Sequence, residues 1–213
     1  MSERGPAGAL GSARGWAVLA AVVLALAVVS LLTNATTAEQ LSGRADGVLT
    51  LRWTLSRIVN AGTVWAGLAV LAGWLVARPL GALVAGPISG VASLAAHYGI
   101  GQLTGLMPAG SASDNLSWFV AALLTGPPLG LVGWLARRDD LLGLLARLVV
   151  PLGAVLEPIL LGWFAPHALA TQPDRISGWV AGGVLVLAGL VGGAVVLRRR
   201  QRVASRTFGS APG

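Results

Sequence analysis

The 213-residue chain contains no cysteine and no lysine, only two histidines, one tyrosine and three phenylalanines, and just 11% charged residues. The missing cysteines exclude a disulfide framework and any thiolate metal or redox site. Two histidines and so few carboxylates give no convincing set of metal ligands, so neither a metal nor a cofactor is expected. HExxH, GxSxG, a Walker loop and a GxGxxG opening a soluble βαβ unit are all missing too. The chain is therefore not expected to be an enzyme. All 15 cationic residues are arginine, a bias of the kind that high-GC coding produces, and the source is read as bacterial.

What the chain does have is apolar length. Hydrophobic residues make up 55% of it, with 30 glycines, and they fall into six long runs. About 20 apolar residues cross a bilayer as a helix, because a helix satisfies its own backbone where water is absent. The runs are Trp16 to Thr33, Ile58 to Ala77, Leu80 to about Leu106, Ser117 to Ala136, Leu141 to Ala165, and Ser177 to Leu197. The first is too long for the apolar region of a cleaved signal peptide and is read as a span. The expected fold is all-α, a polytopic membrane helix bundle of six spans over residues 16–197. Residues 1–15 and 198–213 form tails on either side.

Arginines on alternate sides set the expected orientation. Ten fall on one side: Arg4, Arg14, Arg78, Arg137, Arg138, Arg198, Arg199, Arg200, Arg202 and Arg206. Four fall on the other, Arg44, Arg52, Arg57 and Arg175, while Arg147 lies within the fifth span, where it is expected to snorkel. Both termini are thus expected in the cytoplasm of a bacterial cytoplasmic membrane. The cluster Arg198, Arg199, Arg200 and Arg202 is expected to anchor the last helix to anionic lipid. With no stacking aromatics beside it, no nucleic-acid partner is expected.

The even-numbered spans open near Asn60 to Trp65, Asn115 to Trp118 and Ser177 to Trp179, and the first two close on Gly-Trp-Leu before arginine. This suggests three repeated helical hairpins, although Trp and Arg also belong at interfaces for their own reasons. Small residues recur four apart at Gly86 and Gly90, Gly126 and Gly130, Gly178 and Gly182, and Gly189 and Gly193. Such rows point to close packing inside a bundle. Ala17, Ala21 and Ala25 offer the first span a similar face for a partner subunit or a second copy.

Polar exceptions carry the functional reading. A carboxylate in a bilayer is costly, so Glu157 in the fifth span is the sharpest candidate. Rise per residue puts it roughly 12 Å, and His97 roughly 14 Å, inside the outer ends of their spans. The two are expected to share one polar site with Tyr98, Asn60, Trp65 and Trp118. Such a group suits a small cationic or hydrogen-bonding ligand or a proton relay, while a buried glutamate serving only the fold stays open. Pro87, Pro127, Pro128, Pro151 and Pro158 are expected to break or kink their helices. The stretch Leu49 to Arg57 is read as lying along the outer interface.

Asn60 through Trp65, Tyr98, Trp118, Gly126-Pro127, Gly130 to Arg137, and Glu157 together resemble a family of uncharacterised actinobacterial multi-span membrane proteins over most of residues 50–165. The resemblance implies a membrane location and no activity. The leading expectation is small-solute binding or transport through an outward-facing site. The alternatives are a partner subunit, such as the substrate-binding component of an energy-coupling-factor importer, or a purely structural membrane protein.

Overall fold

In the computed structural model, residues 13–209 are described, with side chains to Gln201 except that of Ala38. Residues 1–12, with Arg4, residues 210–213, and the side chains of residues 202–209, with Arg202 and Arg206, lie outside what is described. The fold is an all-α bundle: α1 Ala13–Asn34, α2 Ala38–Leu41, α3 Asp46–Val59, α4 Gly62–Val76, α5 Pro79–Leu103, α6 Ser111–Asp114, α7 Leu116–Leu135, α8 Leu141–Leu160 and α9 Gln172–Gly209. Six spans are long and apolar enough to cross a membrane, with α3 and α4 together forming the second. The chain is a multi-pass membrane protein. One loop face carries Asn34, Asn60 and Asn115, and the opposite face carries Arg78, Arg137 and Arg138.

The break in the second span is not where proline would put one. Ala61 turns extended, with ψ 137°, and separates α3 from α4. The segment from Leu49 is therefore helical and packs on α9 and α1. Pro87 sits inside α5, Pro127 and Pro128 inside α7, and Pro151 and Pro158 inside α8, so none of the five ends its helix. A proline removes one amide and leaves a carbonyl without a donor, which neighbouring helices and hydroxyls in a packed bundle accommodate. At Pro151 the two last helices also pack closely. The Pro151 carbonyl lies against Gly189 of α9, where an added Cβ would stand only 2.5 Å from it.

Span ends also moved. Gly162 adopts φ 68°, a left-handed conformation suited to glycine, and α8 stops at Leu160 rather than Ala165. The last helix, in contrast, runs on past Leu197 to Gly209, since arginines are good helix formers and nothing in the Arg198–Arg200 run breaks it.

Packing divides the helices unequally. α7 lies against both α4 and α5 with backbone touching backbone. A Cβ on Gly73 would fall 1.9 Å from the Gly130 carbonyl oxygen, one on Gly133 1.8 Å from that of Val70, and one on Gly86 2.0 Å from that of Gly126. Only glycine allows that approach, so the rows Gly86/Gly90 and Gly126/Gly130 are packing faces inside the bundle. α1 adds Leu19 and Val23 to a core with Leu68, Ala72, Val76 and Ala85, and its Ala17, Ala21 and Ala25 face outward. α8 packs closely on α9 but touches α4 and α7 only sparsely. The α8–α9 pair thus meets the rest along a seam.

Candidate functional site

The seam opens into a cavity of about 970 Å³ between α4, α5, α7 and α8, reaching toward the asparagine face. Glu157, His97, Tyr98, Asn60, Trp65 and Trp118 all line it. Asn34, Asn115, Ser30, Thr63, Thr125 and Trp163 line it too. Sequence reasoning passed over these, although all three asparagines of the chain are among the lining residues. That coincidence of rare amides in apolar surroundings was the available signal.

Glu157 is held by backbone. Oε1 accepts the Gly62 amide at 2.6 Å and Oε2 the Thr63 amide at 2.7 Å, so α8 supplies the N-terminal cap of α4. The first amides of a helix have no intrahelical partner, and the helix dipole favours an anion there. With α8 ending at Leu160, Glu157 lies only roughly 4.5 Å from its helix end, not the 12 Å expected from a longer span. His97 sits higher on α5 than expected for the same reason, since α5 ends at Leu103. The cavity unites the two residues, and no hydrogen bond joins them.

The other side of the break is closed by Asn60. Its backbone amide and its Nδ2 both donate to the Ser56 carbonyl, at 2.8 and 2.9 Å, finishing α3. Nδ2 also donates to Asn34 Oδ1 at 3.0 Å, and Oδ1 accepts from Ser30 Oγ at 2.5 Å. Ser56 Oγ reaches Asn34 Oδ1 at 2.5 Å. This cluster ties α1 to the mouth of the cavity.

Aromatic residues form much of the wall. Tyr98 packs edge-on to His97 at 4.9 Å between centroids and tilted on Phe119 at 5.9 Å. His97 is 4% exposed, stands beside the Ala27 carbonyl, and its Nδ1 has no hydrogen bond of proper geometry. A buried ring nitrogen without a partner is costly unless water or a ligand meets it. Trp118 is well exposed at the rim. Arg57 forms an ion pair with Asp174 at the start of α9 and lies 5.8 Å over the Trp163 ring.

The arginine end of the seam has a matching clasp. Arg147 was expected to reach the headgroups, yet its Nε donates to the Ala136 carbonyl at 2.7 Å and Nη2 to the Arg138 carbonyl at 2.6 Å. Nη2 also meets Asp139 at 3.0 Å. The last carbonyls of α7 lack helical donors, and Arg147 supplies one. Asp140 caps α8 through the Gly143 amide at 3.0 Å. The Arg138 guanidinium and that amide hold its carboxyl well below the ordinary range, at about 2.

Beneath the cavity, the glycine contacts of α4, α5 and α7 close the path toward the arginine face. The cavity's lining ends at Ala69, Gly86, Leu129 and Val149, short of the arginine face. Among the described residues no cluster of His, Cys, Asp and Glu could hold a metal. No family model, curated protein or solved structure matches the chain.

Proposed function

We propose that this is a non-catalytic protein of a bacterial cytoplasmic membrane that binds a small solute in the one-sided cavity and passes it by opening the α8 seam. The observation that carries the reading is the cavity itself: about 970 Å³, apolar in its depth, with Glu157, Asn34, Asn60 and Asn115 toward its mouth. That volume lies within the range of about 300–1,000 Å³ typical of small-molecule sites. In the orientation set by the arginine asymmetry, the termini are cytoplasmic and the mouth faces outward. The bacterial assignment rests on the lysine-free composition and on the resemblance over residues 50–165. The exposed Arg198, Arg199 and Arg200 then lie at the cytoplasmic leaflet, placed to meet anionic lipid.

A second reading, a partner subunit of a membrane complex, is favoured by the outward row Ala17, Ala21 and Ala25 on α1. The test is ligand-induced thermal stabilisation of the protein in nanodiscs across a small-solute panel, followed by flux into proteoliposomes. Ala121→Phe, which fills the cavity from α7, should abolish stabilisation by any hit without lowering the melting temperature of the empty protein. Binding that survives the cavity-filling change would overturn the reading. Binding without flux, together with a copurifying ATPase, would move the protein to the partner-subunit class.

A further inference from the structure

We propose that the ligand is a hydrophobic organic cation; this rests on the reading of the cavity as a solute site and names the class of solute. Charge comes first. Among the described residues, Glu157 is the only charged one lining the cavity. The three ion pairs among the described residues join Arg57 to Asp174, Arg138 to Asp140 and Arg147 to Asp139, so none of these arginines is paired with Glu157.

The α4 amides leave that charge partly uncompensated. A helix N-terminus carries roughly half a positive charge, against a full negative one on the carboxylate. A carboxylate has about four lone-pair sites, of which the Gly62 and Thr63 amides occupy two. The remainder can accept from a ligand. An anionic solute would meet repulsion and no arginine, and a neutral one would leave the charge unused.

The walls select the rest of the molecule. Trp65, Tyr98 and Trp118 line the cavity without an arginine over their rings, whereas Trp163 already carries Arg57, and ring faces attract cations. Below them Ala69, Leu94, Leu129 and Val150 offer only apolar contact. A small hydrated metal cation would waste that surface. The side of the cavity is also apolar and exposed at mid-span: Val149 on α8 is 37% exposed and lines it, as does the exposed Thr125 on α7. A solute already dissolved in the bilayer has access there.

Tetraphenylphosphonium and tetraphenylborate, matched in shape and opposite in charge, test the assignment. Tryptophan quenching in nanodiscs should show saturable binding of the phosphonium at least tenfold tighter than of the borate. Glu157→Gln should weaken phosphonium binding tenfold or more while leaving borate binding no weaker. If that variant fails to fold, the phosphonium-to-borate ratio on the unaltered protein decides alone. Equal binding of both ions, or tighter binding of the borate, overturns the cation assignment and leaves the solute site standing. If neither ion binds while the solute panel yields a cavity-dependent hit, the class is again wrong; if the panel also yields none, the solute reading itself falls.

Discussion

Glu157 of α8 accepts the backbone amide of Gly62 at 2.6 Å, so the one carboxylate in the cavity wall is also the cap of the broken second span. Fold and proposed function meet in a single side chain. Glu157→Ala would leave two amides unpaired and should lower stability by about 2 kcal/mol, the scale of hydrogen bonds to a charged group. Glu157→Gln keeps one acceptor in place and should recover about half of that. Denaturation in detergent micelles measures both; an alanine variant as stable as the unaltered protein would mean that the amides have other partners.

The glycine contacts beneath the cavity make a sharper packing prediction. Gly130→Ala would put a Cβ 2.0 Å from the Ala82 carbonyl oxygen, where only backbone can yield. Overpacking of this kind costs about 1–3 kcal/mol. Gly183→Ala on α9 meets nothing within 4 Å and should be neutral or gain up to about 1 kcal/mol from helix propensity. Equal melting temperatures for the two variants would contradict the close approach of α7 to α5.

How much of this could be read in the sequence follows from what each signal physically reports. The six spans were legible because apolar length reports the solvent, and the arginine-poor and arginine-rich faces were legible for the same reason. The break at Asn60–Ala61 was not, since a lone asparagine followed by alanine carries no fixed helix-ending signal and both residues occur inside helices. Pro127 and Pro128 lie inside α7 without ending it, because a proline removes one amide locally while its neighbours in a packed bundle satisfy the rest. Glu157 stood out as a carboxylate among apolar residues, but its partners are amides of Gly62 and Thr63, and a backbone partner leaves no mark in a sequence. Arg147 is a similar case: its acceptors are the carbonyls of Ala136 and Arg138, which leave no mark in a sequence either.

Acid should act at the α7–α8 loop. Asp140 has its carboxyl pKa depressed to about 2, first by the Arg138 guanidinium and then by the Gly143 amide. A carboxyl whose folded value is lowered stabilises the fold fully above its unfolded pKa, near about 4, and loses that contribution as pH falls toward the folded value. The cap should therefore hold at neutral pH and weaken between about 4 and 2. Hydrogen exchange at the Gly143 amide should accelerate across that window beyond its intrinsic pH dependence, and Asp140→Asn should remove the transition. A directly measured Asp140 pKa near the ordinary value would contradict the paired geometry.

Orientation is open to a simple experiment. Ser113 lies in the short α6 on the asparagine face and Asp139 in the loop on the arginine face. Retention of cationic segments in the cytoplasm predicts an external signal from a reporter fused after Ser113 and a cytoplasmic one after Asp139. The reverse pattern would turn the cavity mouth inward, and solute export would then replace uptake as the direction to test.

Because the chain has no cysteine, a single introduced pair can report on the seam without background. A Cβ built on Gly153 of α8 stands 4.0 Å from the Thr63 Cβ on α4, inside the Cβ–Cβ range of about 3.5–4.5 Å that a disulfide requires. Thr63→Cys combined with Gly153→Cys should therefore crosslink under mild oxidation, and neither single variant should. The crosslink joins the helices that flank the cavity while sparing the Glu157 carboxylate. If solute passage requires α8 to part from α4, the oxidised protein should bind solute but show at least tenfold lower flux, and reduction should restore it. Flux unchanged by a complete crosslink would mean that this seam stays closed during transport, and the moving contact would then have to be sought among the glycines of α4, α5 and α7.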